Sequence, residues 1–393
     1  MSADPSNLHR RPSLFVAALL ALVVAALNIG LWWAGNRPHG PEDWHGPISG
    51  FALEAYQRYQ DPLKNKFPSD EQIDGDLKLI RQYTSNIRTY SMLQTPQVPR
   101  LAEREGLKVL AGAWIDTRLD NNDKEIAALI AQARRYPGTI NRVLVGNETL
   151  FRNNVTPEQM MAYLDRVRAA LHQPVSTAEP DYIWEKYPEL AQHVDFITVH
   201  LFPYWNGIPL TGNGKGLDRF PALAAALGSY QTLQKMFPDK HIVIGEIGWP
   251  SNGDRVKYAY PSVSNEAIFL RQWFNLAKRD HIDYYVMEAF DQPWKEQLSG
   301  RTEAYWGMFN ADRQPKFPFT GPVTEDTAWP WKALAASLLA LLPMVWFARR
   351  YMRFKLTGRL FFCLLIQLAC GLIVWSATLP FNFYLSWVDW TML

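Results

Sequence analysis

The sequence predicts an α/β protein, a (β/α)8 TIM barrel with one apolar transmembrane helix before it and two after it. Residues 46–320 alternate short β-rich runs with amphipathic stretches. Eight such runs over about 275 residues match the size of this barrel. Three apolar segments flank the region, and each is long enough to cross a bilayer. We therefore divide the chain into a tail with an anchor (1–36), a barrel domain (46–320) and two C-terminal helices (328–381).

Charge is distributed unevenly along the chain. Outside residues 37–327 lie eight basic and two acidic residues, a net charge of +6, which leaves −4 for the middle of a chain whose total is +2. This mildly acidic middle argues against a phosphate-binding surface, so nucleic acid is not an expected partner. Cys363 and Cys370 both lie near the C-terminus. The middle therefore has no disulfide and no thiolate metal site, and we expect both cysteines to pack within the third helix.

The first apolar run covers residues 14–34 and follows Arg10 and Arg11. A cleaved secretory signal is the alternative, but its apolar stretch is shorter and ends at small residues. This run is 21 residues long and ends in two tryptophans, which suit a membrane interface. The pattern favours an uncleaved anchor.

Two further runs, residues 328–348 and 360–381, enclose a loop with five basic residues: Arg349, Arg350, Arg353, Lys355 and Arg359. Basic residues concentrate in short cytoplasmic loops. Two crossings separate this loop from the N-terminal arginines, so both lie in the cytoplasm, and the barrel domain lies outside it. We expect a multi-pass protein of a bacterial inner membrane with membrane lipid as a partner. A soluble helical hairpin is disfavoured because both runs are apolar on every face.

The barrel strands are predicted from short apolar or β-branched runs bounded by turn residues. They are residues 48–53, 86–90, 107–115, 141–148, 174–179, 195–202, 241–246 and 283–290.

Helix-start signals lie between these strands. Ser69 caps an acidic first turn, and Thr156 precedes Pro157 with Gln159 at the capping-box position. Another helix is predicted over 122–136, and a further one from Ser264. A doubly wound sheet is the alternative fold, but no Gly-x-Gly-x-x-Gly follows any strand.

Three predicted strands finish with a glutamate: Glu148, Glu246 and Glu288. Gly146 and Gly245 stand just before the first two, where a small residue lets neighbours come close. The chemistry of such barrels sits at the carboxyl ends of the strands. Strands four and seven lie across the barrel mouth from each other, so Glu148 and Glu246 are expected to converge.

Two facing carboxylates in an aromatic mouth suit glycosidic cleavage. One carboxyl group protonates the leaving oxygen, while the other stays ionised to attack the anomeric carbon or to activate water. Aromatic faces stack on sugar rings, and Tyr204, Trp205, Trp249 and Trp294 all follow barrel strands. A structural ion pair is the alternative for any single glutamate.

Three motifs resemble glycoside hydrolase family 17, the β-1,3-glucanases and glucan transglycosylases. They are "GNE" (146–148), "GEIGWPS" (245–251) and "WGMFNADRQPKFP" (306–318), and the resemblance spans residues 46–320. It implies a retaining (β/α)8 enzyme with Glu148 as acid/base and Glu246 as nucleophile. It also implies that Asn147 binds the sugar 2-hydroxyl.

The same resemblance implies roles for two further residues. Tyr204 matches the strand-six tyrosine, which orients the nucleophile, and Arg88 matches the strand-two arginine beside it. A cation there lowers the pKa of a neighbouring carboxyl group. For either residue the alternative is a structural role, in which the side chain only satisfies hydrogen bonds within the protein.

The segment "EAFDQPWKE" (288–296) resembles the bacterial and fungal transglycosylase-like branch, which includes proteins called β-(1→6)-glucan synthases. It offers Glu288, Asp291, Trp294 and Lys295 as sugar contacts. Glu303 corresponds to a cleft position of the plant enzymes, although the loop lengths here depart from theirs.

His200 also departs from the plant pattern, which has asparagine at that position. It either lines the donor subsite or caps its strand.

No cofactor and no metal are implied, because His172, His193, His241 and His281 show no ligand grouping. The sequence predicts a membrane-anchored enzyme acting on β-glucan, with a neighbouring glucan synthase as a membrane partner. Hydrolysis and transfer both remain open. A non-catalytic glucan-binding protein is the alternative from another class. A glycosyltransferase using a nucleotide sugar is disfavoured because no Asp-x-Asp motif ends a strand.

Overall fold

The computed structural model describes residues 14–350 and 354–382, with side chains described for 18–347 and 354–378. Contacts divide the chain into two compact units, His39–Val323 and the two terminal segments Met1–Pro38 and Thr324–Leu393. Five basic residues used to predict the membrane orientation lie outside the described side chains: Arg10, Arg11, Arg349, Arg350 and Arg353.

Eight parallel strands close into a barrel in chain order, which confirms the predicted fold. Residue Phe51 of the first strand pairs with Val286 of the last and closes the ring. The strands are β1 (Phe51–Ala52), β2 (Asn86–Arg88), β3 (Lys108–Ala113), β4 (Ile140–Asn147), β5 (Val175–Pro180), β6 (Ile197–Leu201), β7 (Ile242–Ile247) and β8 (Asp283–Val286).

The last strand is shorter than predicted. It ends at Val286, whereas the sequence pattern extends it to residue 290. After Val286 the backbone alternates between two partners. The Met287 and Ala289 N–H groups still donate to Ile247 of β7 and Ala52 of β1, whereas the Glu288 N–H donates to the Trp306 carbonyl. The chain beyond β8 therefore pairs with a later segment as well as with the neighbouring barrel strands.

Each strand is followed by a helix, and local caps set several of the starts. The predicted caps Ser69 and Thr156 are both present, and each forms a capping box, which was predicted for Thr156 alone. The helix expected from Ser264 is present but begins one residue earlier, at Val263, because Ser262 caps it by accepting the N–H of Asn265. The barrel-unit helices are α2 (Asp70–Ile80), α3 (Val98–Glu105), α4 (Leu119–Arg135), α5 (Pro157–Ala170), α6 (Asp181–Lys186), α7 (Pro221–Met236), α8 (Val263–Arg279) and α9 (Lys295–Ser299).

Alternate side chains of several strands pack in different clusters. Leu110 of β3, Leu144 of β4 and Val243 of β7 belong to a small cluster, whereas Val109 and Ala111 of β3 belong to the large core that includes the helices. This alternation places the small cluster inside the barrel. The strand register shifts near the carboxyl ends of β4, β6 and β7, where such irregularities re-aim side chains.

Within its described residues, the terminal unit contains three long helices: α1 (Leu14–Gly35), α10 (Trp329–Arg350) and α11 (Leu356–Asn382). Each carries a stretch long and apolar enough to cross a membrane. The Asn28 side chain of α1 donates to the Ala333 carbonyl at 3.0 Å, which satisfies a polar group among apolar residues. Cys363 and Cys370 are buried, as predicted.

Candidate active site

Glu148 and Glu246 converge at the carboxyl end of the barrel. Glu148 follows β4 directly, and Glu246 lies in β7. One oxygen of each carboxylate and one ring nitrogen of His200 all lie within 4.8 Å of one another. The Glu246 side chain is 5% exposed and that of Glu148 is 15% exposed.

The backbone around Glu148 explains the glycine in "GNE". Gly146 has φ +86°, and a Cβ atom there would lie 2.5 Å from the Thr149 hydroxyl oxygen. Glu148 itself has φ +52°, a region that residues with side chains rarely adopt. Such strain persists only where the surroundings over-determine it, which is typical of functional sites.

Arg88 of β2 lies beside Glu246, as the resemblance implies. Its Nη1 atom is 3.2 Å from Glu246 Oε1 and donates to the Gly245 carbonyl at 2.6 Å. Its Nη2 atom donates to Asn147 Oδ1, so the other edge of that amide, Nδ2, points away from the guanidinium. This buried cation holds both Asn147 and the Glu246 carboxylate in place.

His200 of β6 has a buried ring between the two carboxylates. Its Nδ1 atom lies 3.0 Å from Glu148 Oε1 and 3.4 Å from Glu246 Oε2. The side chain is 0% exposed, so it neither lines an open donor subsite nor merely caps its strand. Both sequence-based interpretations of His200 are therefore corrected.

The protonation of the His200 ring bears on metal binding. Its Nε2 atom is 2.9 Å from Arg88 Nη1, and a guanidinium has only N–H donors. Nε2 must therefore accept, and in the neutral ring the hydrogen is on Nδ1. The nitrogen that faces Glu148 and Glu246 thus carries a proton and is not available as a metal ligand while this contact persists.

Arg152 was missed from the sequence. Its Nη2 atom lies 2.9 Å from Glu148 Oε2, and its Nη1 atom donates to the Asn147 carbonyl at 3.0 Å. Burial by itself raises the pKa of Glu148, but the His200 hydrogen bond and the charges of Arg152 and Arg88 outweigh it and hold that pKa below its ordinary value. An arginine four residues after a strand-end glutamate gives no signal in the sequence.

Tyr204 and Trp249 occupy positions other than those predicted. Both are 0% exposed, so neither offers a face to a sugar. The Tyr204 hydroxyl donates to the Asp254 carbonyl instead of orienting Glu246. The Trp249 indole N–H donates to the Tyr260 carbonyl at 2.9 Å, and the two predicted rings pack edge to face. Trp205, at 40% exposure, keeps an accessible ring beside them.

Lys295 is the centre of a second charged group. Its Nζ atom lies 3.1 Å from Glu288 Oε1 and 3.1 Å from Glu54 Oε2. Glu288 is 0% exposed, and its burial raises the pKa of this carboxyl group well above the ordinary value. This burial and the ion pair with Lys295 favour a structural role for Glu288 over the predicted sugar contact. Glu54 follows β1 and was missed, although the same strand-end rule would have selected it.

The other residues considered as sugar contacts differ in burial: one is buried, and two are half-buried. Asp291 is 1% exposed, accepts the Gly307 N–H at 3.0 Å and pairs with Lys316, so it is a structural residue. Trp294 is half-buried, and its indole N–H donates to Gln292. Glu303 is half-buried. Burial raises its pKa, and the negative charges of Glu148 and Glu246 raise it further.

Glu179 at the end of β5 is a further strand-end carboxylate that was missed. It accepts the backbone N–H groups of Leu150 and Phe151, at 2.8 and 3.2 Å, and so holds the loop that follows Glu148. Burial raises the pKa of Glu179 to about 8.

Comparisons with known proteins show the family of this chain. Residues 50–307 match the family model of the BtgE/BtgC glycoside hydrolase domain. A probable glucan endo-1,3-β-glucosidase, btgC, of Aspergillus clavatus is 28% identical over 288 residues, which are 65% of this chain and 40% of that protein. A glucan 1,3-β-glucosidase of Saccharomyces cerevisiae is 26% identical over 273 residues, 63% of this chain and 85% of that one.

A solved structure is also similar. An active-site mutant of the Rhizomucor miehei β-1,3-glucanosyltransferase, in complex with laminaritriose, has a TM-score of 0.60 and 25% identity. The match covers 69% of this chain and 96% of that one. The chain therefore belongs to the BtgE/BtgC glycoside hydrolase family, within the family-17 β-1,3-glucanases and transglucosylases.

Proposed function

We propose that this chain is a membrane-anchored retaining enzyme that acts on β-1,3-glucan by double displacement. Glu246 attacks the anomeric carbon while Glu148 protonates the leaving oxygen. Glu148 then takes a proton from the incoming water or sugar hydroxyl as it displaces Glu246. The observation that carries the proposal is the spacing within 4.8 Å of the two carboxylate oxygens. Retaining enzymes need about 5–5.5 Å between carboxyl groups, and inverting enzymes about 6.5–9.5 Å.

The substrate class follows from relatives named for β-1,3-glucan. The chain spans only 40% of the Aspergillus clavatus relative, so its substrate is a proposal of its own. An accessible Trp205 and a half-buried Trp294 give the barrel mouth ring faces suited to glucose. Asn147 contributes an amide beside the acid/base for the 2-hydroxyl.

Transfer to a second glucan is the outcome that we favour over hydrolysis. Three helices long and apolar enough to span a membrane suit an enzyme that remodels or branches glucan at its site of export. Such a protein would work beside a glucan synthase in the same membrane. A sugar acceptor outcompetes water when subsites beyond Glu148 hold it in position.

The reaction is tested with the full chain in detergent and laminari-oligosaccharides of one length. Longer or branched products indicate transfer, and shorter products indicate hydrolysis. The Glu246→Ala variant should lose at least about 10³-fold in rate because the covalent step is removed. Equal activity in that variant would refute the assignment of Glu246.

Azide distinguishes the two glutamates, because it can occupy the space of a removed carboxylate and attack the anomeric carbon from that side. Azide and an activated aryl laminarioside should give the β-glycosyl azide with Glu148→Ala, since the covalent intermediate still forms on Glu246. The same reagents should give the α-glycosyl azide with Glu246→Ala. An inverting mechanism fails to give this pair of products. Glucan binding without turnover in the unchanged protein would favour the binding-protein alternative.

A further inference from the structure

The ring of His200 joins the two glutamates assigned to catalysis. In the barrel ladder His200 pairs with Glu246 on β7 and with Pro180 on β5. Its Nδ1 atom is 3.0 Å from Glu148 and 3.4 Å from Glu246, and the side chain is 0% exposed. Neither water nor substrate can therefore replace this contact without a rearrangement of the barrel end.

Arg88 fixes the orientation of the bridging hydrogen. Because Arg88 donates toward Nε2 at 2.9 Å, the single hydrogen of the neutral ring is on Nδ1. That N–H bonds to Glu148 at 3.0 Å, and Glu246 Oε2 lies 3.4 Å from the same nitrogen, close enough to replace Glu148 after a small movement. The contact therefore favours whichever of Glu148 and Glu246 has the more negative oxygen.

We propose that His200 is a positioning residue whose Nδ1–H bond passes between Glu246 and Glu148 during the reaction. The proposal rests on the proposed function. While Glu148 holds a proton, the N–H donates to ionised Glu246. After Glu246 has bonded to the sugar and lost its charge, the N–H donates to Glu148. His200 thereby stabilises whichever carboxylate is ionised.

Each step balances without a proton on Nε2. In the first step the Glu246 oxygen–carbon bond forms, the glycosidic bond breaks, and the Glu148 proton goes to the leaving oxygen. In the second step the acceptor oxygen bonds to the anomeric carbon, its proton goes to Glu148, and the ester bond to Glu246 breaks. Both glutamates return to their starting states, and His200 changes only its hydrogen-bond partner.

Other charged and titratable groups face this trio from several strands. Arg152 differs from His200 because, of the two glutamates, it pairs with Glu148 alone, at 2.9 Å. The groups that face the trio are Arg88 in β2, Tyr90 after β2, Arg152 after β4, Glu179 in β5, Tyr182 in α6 and Glu303 after β8.

Two variants of His200 separate its two nitrogens. The amide nitrogen of His200→Asn can take the place of Nδ1 and keep the donor, whereas His200→Gln reaches the place of Nε2 and loses the donor. The pH dependence of kcat/KM is measured for the full chain in detergent on laminari-oligosaccharide, because its basic limb reports the acid of the free enzyme.

The expected result is a difference between the two variants. The basic limb should move up by about one to two pH units in His200→Gln, because the Glu148 carboxylate loses a donor. It should stay within about 0.3 units in His200→Asn. Equal shifts in both variants, or no shift in either, would overturn the proposal, since a purely structural role lowers kcat without moving the limb.

Nitrogen NMR gives a readout that does not need glucan turnover. In the full chain labelled with ¹⁵N-histidine, the signals lost in both variants belong to His200. They should show a protonated Nδ1 and an unprotonated Nε2. A neutral ring protonated on Nε2 instead would overturn the proposal, because Nδ1 would then have no hydrogen to donate to either glutamate. An inactive unchanged protein with the expected tautomer would instead defeat the proposed function and leave the bridging bond established.

Discussion

At the scale of single residues, two similar glutamates receive different environments. Glu246 is held by Arg88 at 3.2 Å, deep in the barrel end. Glu148 is more exposed and contacts Arg152 and His200. In the free protein these contacts favour the ionised form of Glu148, which is the form that accepts a proton in the second half of a double displacement. These contacts therefore favour the proposed base role of Glu148, and the proposed acid role requires the change of hydrogen-bond partner inferred for His200.

Glu179 makes stability depend on pH. Its folded pKa of about 8 lies above the ordinary value near 4.5, so the folded protein binds this proton more tightly than the unfolded chain. Its contribution to stability is full at low pH and is lost as pH rises through about 8. In Glu179→Gln, the drop in melting temperature from pH 5 to pH 8 should be smaller than in the unchanged protein.

The exposed Glu189 provides the control for this measurement. Glu189→Gln should keep the same drop as the unchanged protein, because a change at this exposed position leaves the buried Glu179 carboxyl group in place. A Glu179→Gln variant that keeps the full drop would show that this carboxyl group does not titrate as described.

At the scale of elements, one glycine of β7 admits the arginine of β2. A Cβ atom at Gly245 would lie 2.6 Å from Thr198 Cγ2 and 2.8 Å from Arg88 Nη1. Gly245→Ala should therefore displace the guanidinium from Glu246. We expect about 10²-fold lower kcat/KM on laminari-oligosaccharide, as for a small misplacement of a catalytic group. Overpacking should also lower the free energy of unfolding by about 1–3 kcal/mol.

Gly75 is the matched glycine for that experiment. It lies exposed within α2, and an added Cβ atom would meet nothing within 4 Å. Gly75→Ala should raise the free energy of unfolding by about 0.5–1 kcal/mol and leave kcat/KM unchanged. If Gly245→Ala retained full activity, the close approach of Arg88 would not matter for catalysis.

At the scale of the whole molecule, the cysteines make the membrane topology testable. Cys363 and Cys370 are the chain's two cysteines, and both are buried. An added cysteine is therefore the main site for a membrane-impermeant maleimide. Asp120→Cys in the barrel should react in intact cells, whereas Lys355→Cys in the basic loop should react only after the cells are broken.

Two outcomes would contradict this topology. The reverse labelling pattern would place the barrel inside the cell. Release of the chain from membranes by alkaline carbonate would argue against any span, because a helix that crosses the bilayer resists such extraction. Glu148 and Glu246 do not enter this test, so its result is independent of the catalytic proposal.

The sequence by itself determined the barrel and its pair of strand-end glutamates. Period-two runs, capping boxes and apolar segments are local signals, and "GNE" and "GEIGWPS" carry Glu148 and Glu246 within a few residues of their strands. The alternation of strands and helices then leaves few ways to close the sheet.

Only the tertiary structure decided which neighbours these residues have. Tyr204 and Trp249 follow barrel strands, where exposed aromatic rings would stack on a sugar, yet packing buries both rings. Lys295 pairs with Glu54, which lies 241 positions earlier in the chain. His200 lies between two glutamates that are each at least 46 positions away. Burial and long-range contacts depend on the arrangement of all eight strands, and no local pattern encodes that arrangement.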